Sequence, residues 1–231
     1  MRAIRGKINL ILDFGFWILE LMSKQPKILA FAGSLREKSY NKRVLKVAIK
    51  GAENAGAKVT YVDLKDYPMP IYNGDLQDTQ EFPPIAAAFQ RLLLEHDGLL
   101  IASPEYNASL PAALKNVIDW ASRPNGNLKL NDCFKGKFAA IMTASPGAFG
   151  GIRCLAHLRD VLTILLVNTL PSEIAVAKVG GIFDGDSNEI TNENVRVILE
   201  DLGASLADML QKTHGEIAVV ASATSDISNK Q

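Results

Sequence analysis

Between Lys27 and Val176 the chain returns again and again to one unit: a short apolar run, a loop, and a stretch with helical spacing. The runs KILAFAGS (27–34), KVTYVDL (58–64), GLLIASPEY (98–106), KFAAIMTAS (137–145) and VNTLPSEIAV (167–176) read as five strands. Strands that are apolar along their length are buried on both faces, so they belong to a parallel sheet with helices on either side. Helices are predicted over 39–55, 84–95 and 111–122, from Gly151 to about Leu165, and from about Thr191 to about Thr213. Val44, Leu45, Val47, Ala48 and Ala52 mark the buried stripe of the first, and Gly51 or Gly56 is expected to end it. Pro111 suits a first helical turn, and Thr191 is expected to cap the last helix. Five such units fit an open, doubly wound α/β sheet of strand order 2-1-3-4-5. At 231 residues, 48% of them hydrophobic, the chain can build one sizeable core, and a single domain is expected.

The ends stand apart from this pattern. Residues 1–25 form an N-terminal extension whose run Ile8 to Met22 follows Arg2, Arg5 and Lys7, as in a signal peptide. Asp13 and Glu20 interrupt that run, no A-x-A cleavage pattern follows, and the stretch is shorter than the roughly 20 residues of a membrane span. We expect Met22 to be the natural start and residues 1–21 to make no membrane contact. The domain is expected to occupy 26–213, with 214–231 a polar tail, disordered in part.

Charge narrows the function classes. Lys plus Arg and Asp plus Glu each number 25, a net charge of zero, which is not the basic footprint of a nucleic-acid binder. Nor is it the acidic surface of an electron shuttle that docks by charge steering. Cys133 and Cys154 form no CxxC, and His96, His157 and His214 have no zinc spacing, so no metal is expected. Two free thiols in a reducing cytoplasm are expected instead. Asp184-Gly-Asp186-Ser-Asn188 opens like a calcium loop, but Glu189 stands where glycine is required and Val195 where the last glutamate belongs. Ser145 and His157 lack the G-x-S-x-G of a hydrolase.

In a 2-1-3-4-5 sheet, chemistry gathers at the carboxyl ends of strands 1 and 3. Three loops there are unusual. Gly33 to Asn41 fits neither a Walker A loop nor GxGxxG, yet Ser34, Arg36, Ser39 and Asn41 at a helix start can hold a phosphate dianion. Ser39 reads equally well as an ordinary N-cap. In Ser103 to Pro111, the prolines restrain a loop whose N–H groups can meet the edge of a planar ring. Ser109 and Pro111 are accounted for as cap and first turn, but Glu105, Tyr106 and Asn107 are not. Ser145 to Gly151 carries Gly147, Gly150 and Gly151, which permit close backbone approach to a ligand.

Phe31-Ala32-Gly33-Ser34-Leu35-Arg36 with Ser39 and Asn41, then Ser103-Pro104-Glu105-Tyr106-Asn107, then Lys115-Asn116-Val117-Ile118-Asp119-Trp120, resembles the NADPH-dependent FMN reductase family. The resemblance covers about residues 26–213. It implies a flavodoxin-like fold and FMN as cofactor, with NADPH or NADH as co-substrate. It also implies that Ser34, Arg36, Ser39 and Asn41 hold the FMN phosphate and that Pro104 to Asn107 border the isoalloxazine. Ser145, Gly147, Gly150 and Gly151, in the loop after strand 4, would approach the flavin too. Lys115, Asn116, Asp119 and Trp120 are read as helix packing and interface residues. Such proteins are usually homodimers or homotetramers. The implied reaction is a ping-pong transfer from the nicotinamide through the flavin to a small acceptor: a quinone, free flavin, azo compound or metal oxyanion. Cofactors of this kind carry the chemistry, so no side chain is expected to act as nucleophile. Tyr106 and Asn107 are expected to shape the hydride-transfer site. A flavodoxin-type carrier and a flavin-free module are the competing readings. Missing acidity and phosphate-loop sequence speak against the first, and the intact phosphate residues against the second.

Overall fold

The computed structural model describes residues 25–79, 81–185 and 189–228. Its strands are β1 (Lys27–Ala32), β2 (Lys58–Asp63), β3 (Gly98–Ala102), β4 (Phe138–Ala144) and β5 (Asn168–Val176). All neighbours pair parallel, in the order β2-β1-β3-β4-β5. The helices are α1 (Tyr40–Asn54), α2 (Gly74–Thr79), α3 (Pro84–Glu95), α4 (Ala112–Ala121), α5 (Ile152–Ile164) and α6 (Glu193–Ser228). The doubly wound sheet expected from the apolar runs is the one observed. Only the short α2 was not foreseen, for GDLQDT has no apolar stripe to announce it.

Residue parity along the strands sorts the core into two layers, because successive side chains point to opposite faces. Ile28, Ala30 and Ala32 of β1, with Leu100, Ala140 and Met142, pack against Val44, Leu45 and Ala48 of α1 and Leu199, Leu202 and Leu206 of α6. Leu29 and Phe31, with Leu99, Ile101 and Ile141, face the other way. They meet Phe89 and Leu93 of α3, Leu114 and Val117 of α4, and Leu155 and Leu158 of α5. β1 connects outward to β2 while β3 lies on its other side, so the crevice expected at that reversal opens above β1 and β3.

Two helix ends differ from expectation. Asn192, not Thr191, caps α6: its Oδ1 accepts from the Val195 N–H at 3.2 Å, while the Thr191 hydroxyl donates to the Ile182 carbonyl. α6 also runs past Thr213 to Ser228, into the segment set apart as a tail. No proline interrupts residues 214–228, and one glycine there costs a helix only about 1 kcal/mol. Met1 to Leu21 and Asp186 to Asn188 lie outside the described residues.

Gly51 does not end α1, which continues to Asn54; Gly56, at φ +89°, follows its end. Gly51 and Gly203 instead let α1 and α6 touch backbone to backbone. A Cβ on Gly51 would stand 1.9 Å from the Glu200 carbonyl oxygen, and one on Gly203 1.9 Å from that of Ala48. Gly203→Ala is therefore expected to force the helices apart and cost about 1–3 kcal/mol, read as a lowered urea midpoint. An unchanged midpoint would show that the crossing is loose.

Candidate functional site

Three strands end side by side, and their loops face each other. The Gly33 N–H donates to the Ala102 carbonyl at 2.8 Å, carrying the β1–β3 ladder one step into the first loop. The Ser34 Oγ accepts from the Arg36 N–H at 3.3 Å, which turns the chain toward α1. Ser34 and Ser39 are buried and Arg36 is exposed. Ser39 immediately precedes α1 in extended conformation, yet its side chain makes no capping bond. Its hydroxyl and the first-turn N–H groups of α1 stand at the positive end of the helix, where they could hold an anion. Arg36 forms no salt bridge among the described residues.

Asn41 is placed differently from expectation. Its Nδ2 donates to the Ala144 carbonyl at 2.9 Å and its Oδ1 accepts from the Ala144 N–H at 3.0 Å. Both halves of the buried amide are thus committed to β4, and Asn41 ties the head of α1 to that strand's end. The next residue, Lys42, is buried too, and its ammonium meets Asp63 Oδ2 at 2.6 Å at the end of β2.

The second loop contains a tight turn. Tyr106 and Ser109 exchange two backbone hydrogen bonds, of 3.0 and 3.1 Å, around Asn107 and Ala108 at φ +50° and +63°. Left-handed backbone at both central positions is the signature of a type I′ turn, and it is unfavourable for alanine. Tyr106 and Asn107 are exposed, and Asn107 makes no hydrogen bond among the described residues. Glu105 turns away: its carboxylate accepts from the Arg153 guanidinium and, at 3.2 Å, from the Cys154 N–H in the first turn of α5. Only its backbone is left to face a ring. Ser109 caps nothing, since its hydroxyl meets His157 Nδ1 at 2.9 Å.

The Arg153 hydrogen bonds hold the Glu105 carboxyl below the usual carboxylate range. A carboxyl lowered on folding stabilises the protein above its unfolded pKa, and that contribution fades as the pH falls through the lowered value. Glu105→Gln should accordingly be less stable than the unaltered protein at about pH 7, with the difference shrinking as the pH falls through the acid range, by urea unfolding. A difference that stays the same across that range would show that the charge is irrelevant.

In the third loop the Ser145 N–H continues the sheet to Val176 at 3.0 Å, and Ser145 Oγ accepts from the Gly147 N–H at 3.1 Å. Gly147 is exposed, with only Ser145 Oγ, at 3.5 Å, within reach of an added Cβ. Gly150 and Gly151 have another task. At φ +64° and +96°, a Cβ would stand 2.9 Å from the Ala177 nitrogen and 2.3 Å from Thr143 Oγ1 respectively. These two glycines seat the loop on β4 and β5: Gly150 lets the backbone of residues 175–177 approach, and Gly151 the Thr143 side chain.

Ser34, Arg36, Ser39, Asn41, Pro104, Glu105, Tyr106 and Ser145 line one open cleft of about 120 Å³. Asn107 stands at the turn beyond it, and Gly147, Gly150 and Gly151 do not line it. Tyr40, Ala144 and Pro146 do, and the sequence reading missed them. Tyr40 lies between two singled-out residues, but nothing local shows that its ring stacks on Phe183, 6.2 Å away, with the Arg43 guanidinium 3.7 Å from the Phe183 ring.

The remaining motif residues pack. Asn116 accepts from the Tyr72 N–H at 2.8 Å and donates to the Pro70 carbonyl at 3.0 Å, and the Trp120 indole donates to the same carbonyl at 2.8 Å. Lys115 pairs with Asp119 on the exposed side of α4. Both cysteines are free and buried, and burial pushes each thiol up to about 11. No helix among the described residues is long and apolar enough to cross a membrane.

Residues 26–181 match the sequence pattern of NADPH-dependent FMN reductases. An NAD(P)H-dependent FMN reductase of Pseudomonas aeruginosa is 38% identical over 184 residues, covering 79% of this chain and 95% of that one. An NAD(P)H:quinone oxidoreductase of Solanum tuberosum is 36% identical over 193 residues, with 79% and 95% covered. Among solved structures, the flavoenzyme NAD(P)H:(acceptor) oxidoreductase FerB of Paracoccus denitrificans superposes with a TM-score of 0.66. It is 29% identical, and the match covers 81% of this chain and 98% of FerB.

Proposed function

From the premise that the chain belongs to the NADPH-dependent FMN reductase family, we propose that its cleft holds FMN by the phosphate and that quinones are its acceptors. The enzyme is an FMN-dependent NAD(P)H oxidoreductase. The observation that carries the site reading is the pairing of an uncapping Ser39 at the head of α1 with an Arg36 that has no acidic partner among the described residues. Such a hydroxyl, guanidinium and helix start together suit a dianion.

In this reading Ser34, Arg36, Ser39 and the first N–H groups of α1 bind the phosphate, while the Asn41 side chain keeps α1 in place against Ala144. The backbone of Pro104 to Asn107 lies along the ring edge, and the exposed Tyr106 and Asn107 bound the face open to substrates. Bound there, FMN supplies hydride chemistry between the nicotinamide and the acceptor. The two substrates use the same open face in turn, which makes the kinetics ping-pong. No side chain acts as nucleophile. Lined by loops from one subunit and open on one side, the cleft is compatible with a homodimer or homotetramer, and the unpaired thiols suit a reducing cytoplasm.

The test is steady-state turnover with NADPH and a benzoquinone. Parallel double-reciprocal lines are expected. Lines that converge would mean that both substrates bind together, and would overturn the shared-face mechanism.

A further inference from the structure

The Tyr106–Ser109 turn holds Asn107 and Ala108 in left-handed backbone, and neither is glycine. Such a conformation persists only where its surroundings impose it. Both feet of the turn are fastened to one helix. Glu105, on the near side, is bound by Arg153 and by the Cys154 N–H. Ser109, on the far side, is bound through its hydroxyl to His157 Nδ1 at 2.9 Å. Arg153 and His157 are four residues apart, so they project from one side of α5. The first foot is a charged pair reinforced by a main-chain bond. The second is a single bond between an exposed imidazole and a hydroxyl.

We propose that His157 is a positioning residue for the flavin site: acting through Ser109, it fixes the far foot of the turn and so sets where Tyr106 and Asn107 stand. This rests on the reading of the cleft as the FMN site. His157 itself touches neither cofactor nor substrate. Released from it, the Ser109 foot swings while the Glu105 foot stays fastened, and the two reciprocal bonds between Tyr106 and Ser109 loosen first.

The experiment uses the full-length protein at one fixed pH, with FMN titrated into the apoprotein and amide hydrogen exchange followed at Tyr106 and Ser109. His157→Leu is expected to raise the FMN dissociation constant about three- to tenfold, the scale of one neutral hydrogen bond, and to speed exchange at both amides by a similar factor. His157→Gln, whose side-chain amide can still meet the Ser109 hydroxyl, should restore both. Ser109→Ala should reproduce His157→Leu, and the double variant should be no worse than either single one. The proposal is overturned if His157→Leu leaves exchange unchanged, if His157→Gln fails to rescue, or if the two single effects add. Should the unaltered protein bind no FMN, the site reading fails, and amide exchange alone decides whether His157 holds the turn.

Discussion

Arg36→Ala is expected to raise the dissociation constant for FMN about 10- to 100-fold while leaving that for riboflavin unchanged. Arg36 is exposed, lines the same cleft as the buried Ser34 and Ser39, and has no salt-bridge partner among the described residues. Charge-assisted hydrogen bonds to phosphate are worth about 1.5–3 kcal/mol each, and every 1.4 kcal/mol is a factor of ten in affinity. Riboflavin has the same ring and lacks the phosphate, so it reports whether the loss is confined to that end. Isothermal titration with both ligands reads the difference. If affinity fell equally for the two, Arg36 would be supporting the fold or the ring, and the phosphate assignment would be wrong.

The largest effect on stability should come from Asp63→Ala. Lys42 and Asp63 meet at 2.6 Å with side chains only 6% and 15% exposed, so water does little to screen or replace the bond. Asp63 Oδ1 also accepts the Lys65 N–H at 3.1 Å, closing the turn that follows β2. Removing one partner of a buried pair typically costs about 3–5 kcal/mol, because the other charge stays buried without compensation. Lys42→Met combined with Asp63→Leu should recover most of that loss, since an apolar pair of similar volume needs no compensation. Urea unfolding of the three variants measures it. A loss below about 1 kcal/mol in Asp63→Ala would place the pair with exposed ion pairs, which contribute little.

The three central strands could be read from the sequence because a parallel strand covered on both faces has no polar side to confuse the pattern: GLLIA of β3 is buried at every position. The same logic located the three loops, since strand order decides which ends meet. What could not be read were roles set by partners far away in the chain. Asn41 looked like a phosphate ligand because it opens a helix beside two serines. Its actual partner, Ala144, is 103 residues distant. Gly150 and Gly151 looked like room for a ligand, and the space they leave is filled by Ala177 and Thr143. Gly51 looked like a helix stop because the residue that needs its missing side chain, Glu200, lies on another helix. Glu105 was grouped with its neighbours in the loop, although its carboxylate belongs to the first turn of α5. In each case the residue type announced an unusual position, and only the tertiary partner said which kind.

The central claim is that this cleft makes the protein a flavoenzyme driven by a nicotinamide, and one spectrum tests it most directly. The purified protein, loaded with FMN and freed of oxygen, is scanned before and after NADPH is added. Flavin bands near about 375 and 450 nm that bleach on addition are the predicted result, because the bound cofactor carries the redox chemistry. A protein that takes up no FMN, or whose bound flavin neither NADPH nor NADH can bleach, would contradict it.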